Sequence, residues 1–228
     1  MGSAAGQALP TQICASTHIS SIWDFMSITL HKGDLPDSVT FQGSVAIDTE
    51  TLGLNPHRDP LCLVQLSAGD GTAHVVQMDR GRYDCPNLRR LLNDPSVLKI
   101  FHFARFDVAV MQRYLGVVTA PIYCTKIASK LVRTYTDRHG LKDLARELAG
   151  IEISKQQQSS DWGADELSEA QLAYAASDVL HLHALKEKLD MMLQREGRME
   201  YAKACFAFLP VRASLDLAGW PDEDIFAH

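Results

Sequence analysis

The chain has 228 residues, 46% of them hydrophobic and 22% charged, with 14 Gly and 9 Pro. That is an ordinary composition for one globular domain; it excludes disorder throughout, a collagen-like fibre and a disulfide-dense scaffold, and no apolar run nears the ~20 residues of a membrane span. Lys and Arg number 22 against 28 Asp and Glu, a formal charge of −6, which argues against coating long nucleic acid by bulk charge but leaves short oligonucleotides and cation-bridged phosphates open.

Residues 1–25 carry no charge before Asp24, and Gln7, Pro10, Thr11 and Gln12 interrupt any apolar run, so they do not form a secretory signal. They are read as a flexible leader, with Met26 as an alternative start and one domain over 26–228. Ser44–Thr49 is a buried strand stopped by Gly53, Asn55 and Pro56. Leu61–Ser67 and Ala73–Met78 are two more, and the short turns between them predict an antiparallel meander. A short helix over Asn87–Leu92, a strand over Val97–His102 and a helix over Phe106–Tyr114 follow. Helical spacing recurs over 125–132 and 141–148. A long helix begins at Ser168, a good N-cap, and its apolar residues run from Leu172 to Met192 in steps of three and four. A helix over Tyr201–Phe208 and a short one between Pro210 and Gly219 complete the chain. Strands first and helices later predict an α/β sheet with helices packed on it. The five cysteines show no paired spacing and read as free thiols in a reducing cytoplasm.

Three short patterns carry chemistry. Asp48 and Glu50 stand at i and i+2 of a strand, so both carboxylates project from one face. Two like charges at the end of an apolar strand call for a hard, oxygen-seeking cation such as Mg²⁺, although a solvated strand end is the simpler reading of this pair alone. Asp107 falls in the first turn of a helix that follows His102; a helix-dipole role for the acid and a structural role for the histidine would each suffice there. Tyr174 and Asp178, four apart, share a helix face that borders the buried side. A basic cluster, Lys126, Lys130, Arg133, Arg138, Lys142 and Arg146, opposes only Asp137 and Asp143 over residues 124–146. It is either a phosphate path or a solvated helix face. Trp162 is read as packing, and His181 and His183 as structural.

Taken together, Asp48, Glu50, Asp107 and Asp178, with Tyr174 four residues before the last acid, resemble the DEDD superfamily of 3′→5′ exonucleases in its DEDDy branch. Gln156–Trp162 followed by Tyr174–Val179 is similar to the ribonuclease D group. Ala46–Leu54, Thr134–Leu141 and Phe208–Pro210 resemble the small alphaproteobacterial nano-RNase C oligoribonucleases within it. The resemblance covers roughly residues 27–228.

It implies an RNase H-like mixed sheet of five strands flanked by helices, with a helical C-terminal extension. It implies two divalent ions, Mg²⁺ or Mn²⁺: Asp48, Glu50 and Asp178 on one, Asp48 and Asp107 on the other, with Tyr174 orienting the attacking water. It implies a metal-dependent exoribonuclease that releases nucleoside 5′-monophosphates from short RNA, down to dinucleotides, in the cytoplasm. Its partner would be single-stranded RNA, and the assembly a ring-like homo-oligomer, an octamer in many relatives. Substrate contacts are expected from Thr49, Leu52, Leu54, His102, Arg133, Arg138 and His139. One of the two leucines would wedge against the terminal base, with ordinary core packing as the equal alternative, and Arg138 and His139 would meet a terminal phosphate. Phe206, Phe208, Trp220 and Phe226 are equally suited to a subunit interface and to intramolecular packing. A broader trimming exonuclease acting on longer RNA or single-stranded DNA is the competing reading, and a non-catalytic nucleic-acid-binding module a second.

Overall fold

The computed structural model describes residues 27–154 and 156–227; the expected leader lies outside the described residues. Six strands, β1 (Ser27–Lys32), β2 (Ser44–Thr51), β3 (Leu61–Ser67), β4 (Thr72–Gln77), β5 (Leu98–Phe101) and β6 (Ile122–Cys124), form one mixed sheet. Their order across it is β1-β4-β3-β2-β5-β6. β2, β3 and β4 make the expected antiparallel meander, and β1, β5 and β6 join in parallel. The helices are α1 (Pro86–Asn93), α2 (Ala104–Leu115), α3 (Thr125–Val132), α4 (Leu141–Leu144, continued by a π turn over Ala145–Ala149), α5 (Glu169–Leu180), α6 (Leu182–Arg195) and α7 (Met199–Ala218). No described helix is long and apolar enough to cross a membrane.

The α/β, RNase H-like class is as the sequence predicts, with one strand more than five. β1 is an edge strand half open to solvent, and β6 is three residues long, so neither shows a clear apolar run. Every residue of β3 is buried, because it lies between two strands and beneath helices on both faces; hence the near-continuous apolar run Leu61–Leu66, broken by Gln65.

Two helical expectations are corrected. The long helix from Ser168 is two, parted at His181 (φ −106°, ψ −4°). Ala175, Ala176, Val179, Leu182, Leu185 and Leu189 are all buried on both sides of the break, so apolar spacing alone does not register it. Conversely, Tyr201–Phe208 and the segment after Pro210 are one helix, α7, with Pro210 inside it. Leu209 and Ala213 are buried on either side of the proline, and this packing offsets the lost backbone bond. α7 lies along α2. Asp216 accepts from Arg105 (2.6 and 2.8 Å) and from Arg212 (2.7 and 3.0 Å), tying the last turns of α7 to the first turn of α2.

Of the C-terminal aromatics, Phe206 is buried against Tyr123 at 4.6 Å between ring centroids. Trp220 and Phe226 are exposed. Cys62, Cys85, Cys124 and Cys205 are free thiols, the first three buried. His183 contacts Ser44 Oγ at 3.1 Å, joining α6 to β2 in a structural role.

Candidate active site

β2 pairs with β5 only over Ser44–Ala46, whereas it pairs with β3 as far as Thr51. Beyond Ala46 the β5 side of β2 is therefore open, and Asp48–Glu50 form the wall of a cleft at the strand's C-terminal end. α2 enters on that side. On the helix-covered face α5, capped by the reciprocal Ser168–Gln171 pair, brings Tyr174 and Asp178 over the strand. The cleft holds about 650 Å³ and is lined by Asp48, Glu50, Asp107, Tyr174 and Asp178 together.

One carboxylate oxygen from each of Asp48, Glu50 and Asp178 lies within 4.8 Å of the others. Asp107 stands beside this trio and accepts a 2.7 Å hydrogen bond from Thr49 Oγ1. The side chain between the two acids of β2 thus points to the opposite face and holds the fourth acid. Three oxygen donors so close, with no cationic side chain among them, suit a hard divalent ion.

The electrostatics agree. Burial, then the charges of Asp107, Asp178 and Glu50, push Asp48 well above the usual carboxylate range. Burial, then Asp178 and Asp107, push Glu50 up to about 9. Burial raises Asp107 to about 7 against the hydrogen bond from Thr49, and Asp178 to about 7 against that from Tyr174. Burial and the facing carboxylates also raise the Tyr174 phenol, so it stays protonated. Four acids held this way are stabilised in the charged form only by a cation.

The cleft walls come from loops. Leu52 and Leu54 line it, 43% and 85% exposed, on the turn after β2. That turn is rigid: buried Asp59 accepts from Asn55 N (2.9 Å) and Arg58, and a Cβ at Gly53 would sit 2.2 Å from its carboxylate. Leu52 packs so closely on the segment preceding α5 that a Cβ at Gly163 would lie 3.0 Å from it. His102 lines the opposite wall, its Nδ1 2.9 Å from Thr125 Oγ1. Burial and then Lys126 lower it to about 3, so its ring is neutral.

The basic cluster divides. Lys126 and Lys142 line the cleft, and Lys126 lies 4.2 Å over the exposed ring of Phe103, another lining residue. Arg138 and His139 do not; their neighbour Gly140 does, and His139 Nδ1 is 2.8 Å from Ser129 Oγ. Arg133 is a correction. α3 ends at Val132, so Arg133 leaves the helical phase and turns inward, fully buried, to Ser129 Oγ (3.1 Å), the Arg138 carbonyl (2.6 Å) and Glu147. It cannot reach a substrate in the cleft.

Sequence reasoning missed Phe103, Ser154 and Gln158 on the cleft wall. They sit in irregular segments without periodicity; the signals that could have found them are the Gln156–Trp162 run, which contains Gln158, and the position of Phe103 next to His102. Trp162 is buried as expected, 5.9 Å from the Tyr174 ring, and its indole nitrogen has no partner among the described residues.

A model of the 3′-5′ exonuclease family matches residues 34–194, a span containing all four acids and the tyrosine. The chain belongs to the 3′-5′ exonuclease family. This exonuclease is 39% identical over 165 residues to ribonuclease D of Gluconacetobacter diazotrophicus, covering 72% of its own length and 42% of that relative's. It therefore spans about two-fifths of the curated ribonuclease D relatives it matches. The NrnC structures it matches span nearly the same length. Brucella melitensis NrnC bound to pGG is 60% identical, with a TM-score of 0.86 over 89% of this chain and 99% of that one. The same nuclease with bound Mg²⁺ is 58% identical, with a TM-score of 0.85 over 89% and 100%. α7 lies beyond the family model, yet the NrnC likeness covers nearly nine-tenths of this exonuclease.

Proposed function

We propose that the chain is a metal-dependent 3′→5′ exoribonuclease acting on short oligoribonucleotides, down to dinucleotides, as a homo-oligomer. The observation that carries this is the Asp48–Glu50–Asp178 trio on the floor of a cleft only about 650 Å³ in volume. Such a volume accommodates one or two nucleotides at a strand end. The likeness to a nuclease solved with pGG supports a short substrate.

In this reading Asp48, Glu50 and Asp178 hold one divalent ion, and Asp48 with Asp107 a second, Mg²⁺ or Mn²⁺. When bound, the ions supply positive charge for the scissile phosphate and acidity for the attacking water. Thr49 holds Asp107 in place. Tyr174, a protonated phenol, orients the water by hydrogen bond rather than taking its proton. Water adds at phosphorus, the bond to the 3′ oxygen of the preceding nucleotide breaks, and that oxygen leaves as a hydroxyl. Leu52 or Leu54 wedges against the terminal base, and neutral His102 with Lys126 and Lys142 faces the phosphates. Arg138 and His139 reach a terminal phosphate only by movement of the 134–140 segment.

The test is a time course on 5′-labelled RNA of two, three, seven and 20 residues, with Mg²⁺, Mn²⁺ or EDTA, beside matched DNA. Fast, metal-dependent loss of the dinucleotide with slow decay of the 20-mer is expected. Steady shortening of the 20-mer with dimers left over would replace this reading by that of a trimming exonuclease.

The raised acids also set a sign for pH. In the unfolded chain these carboxyls titrate near 4; in the metal-free fold Glu50 sits at about 9 and Asp107 and Asp178 at about 7. The fold thus holds protons the unfolded chain has lost, and metal-free stability falls as pH rises through that window. A cation displaces those protons, so the rise in melting temperature on adding Mg²⁺ should grow about twofold or more between pH 6 and pH 8.5. A rise independent of pH would count against the cluster as the metal site.

A further inference from the structure

Gln65 is the one polar side chain in the middle of β3, and it is fully buried. Among the described residues, neither its amide nitrogen nor its amide oxygen has a hydrogen-bond partner. Burying an unpaired carboxamide is costly, and the flanking Leu63, Val64 and Leu66 show that an apolar residue suits this strand. The register supplies a reason for its presence. Gln65 is directly opposite Asp48 in the antiparallel β2–β3 pair. Directly opposed residues project to the same face, with Cβ atoms about 5 Å apart. The orphaned amide therefore lies on the face of the sheet that carries Asp48 and Glu50. From the other side, Asp107 is tied down by Thr49; Asp48 has no side-chain donor of that kind among the described residues.

We propose that Gln65 is a positioning residue for Asp48: its amide N–H donates to the inner carboxylate oxygen, directly or through one water, and orients the other oxygen toward the cation. This rests on the reading of Asp48 as a metal ligand. The N–H would find its partner when a cation fills the site and fixes the Asp48 side chain. Ligating groups are commonly oriented by such outer donors, and losing one typically weakens metal binding about 10–100-fold.

The test compares Gln65→Met and Gln65→Leu with the parent protein by calorimetric titration with Mg²⁺ and Mn²⁺, and by melting in EDTA. Asp48→Asn is the reference. We expect metal affinity to fall about tenfold in both Gln65 variants, with the EDTA melting temperature unchanged or higher. Metal affinity equal to the parent's in both, while Asp48→Asn loses binding, would overturn the role of Gln65 alone. Undiminished binding in Asp48→Asn would overturn the metal reading itself. A marked drop in the EDTA melting temperature of both Gln65 variants would show that the amide already has a partner in the metal-free fold, and would also overturn the proposal.

Discussion

Asp48→Asn should lower turnover of a labelled dinucleotide by about a thousandfold or more while making the metal-free protein more resistant to heat. The two effects have one cause. Asp48 is a half-buried carboxylate in the cleft, and its desolvation there, then Asp107, Asp178 and Glu50, oppose its ionisation. An amide of the same shape removes the repulsion and with it the charge that attracts the cation. Sites built to bind charge commonly reduce stability in this way. Activity assayed with Mg²⁺, and melting in EDTA at pH 8, check both halves. Activity within about tenfold of the parent would refute the ligand role, and a lower melting temperature would refute the electrostatic account.

Arg133→Ala should act in the opposite sense, on folding rather than on substrate. The guanidinium is fully buried and serves Ser129, the Arg138 carbonyl and Glu147, closing the loop between α3 and α4. Its removal opens a large cavity and strips Glu147 of its partner. Because the Glu147 side chain is a third exposed, water recovers part of the loss, and about 3 kcal/mol is expected, or about 6–12 °C in melting temperature. KM for a dinucleotide should change less than about threefold at a temperature where the variant is folded. A variant that melts like the parent but binds substrate poorly would restore the phosphate contact that the sequence suggests for this residue.

These two residues mark what each level of description supplies. Alternation places Asp48 and Glu50 on one face of β2, and the four-residue step places Tyr174 with Asp178 on one face of α5; both juxtapositions follow from local geometry and both are present in the fold. The meander of β2, β3 and β4, and the extent of α3, are legible for the same reason, since apolar period and turn residues are local signals. The break at His181 and the continuity of α7 through Pro210 are not, because packing against the rest of the molecule overrides the local preference at each point.

Arg133 and Gln65 show the same limit for side chains. On a helical wheel Arg133 belongs with Lys126 and Lys130, but one residue past the helix end its direction is set by the loop that closes over it. In a strand sequence Gln65 is a single polar interruption, and only the register with β2 puts it across from Asp48. The sequence by itself determined strands β2 to β5 and the acids of the cleft, because spacing along one element decides which side chains share a face, and the family followed from the resemblance of its motifs. Tertiary structure alone decided which cations reach the cleft, which is locked in the interior and which buried amide stands beside the acids, because those outcomes depend on contacts between residues far apart in the chain.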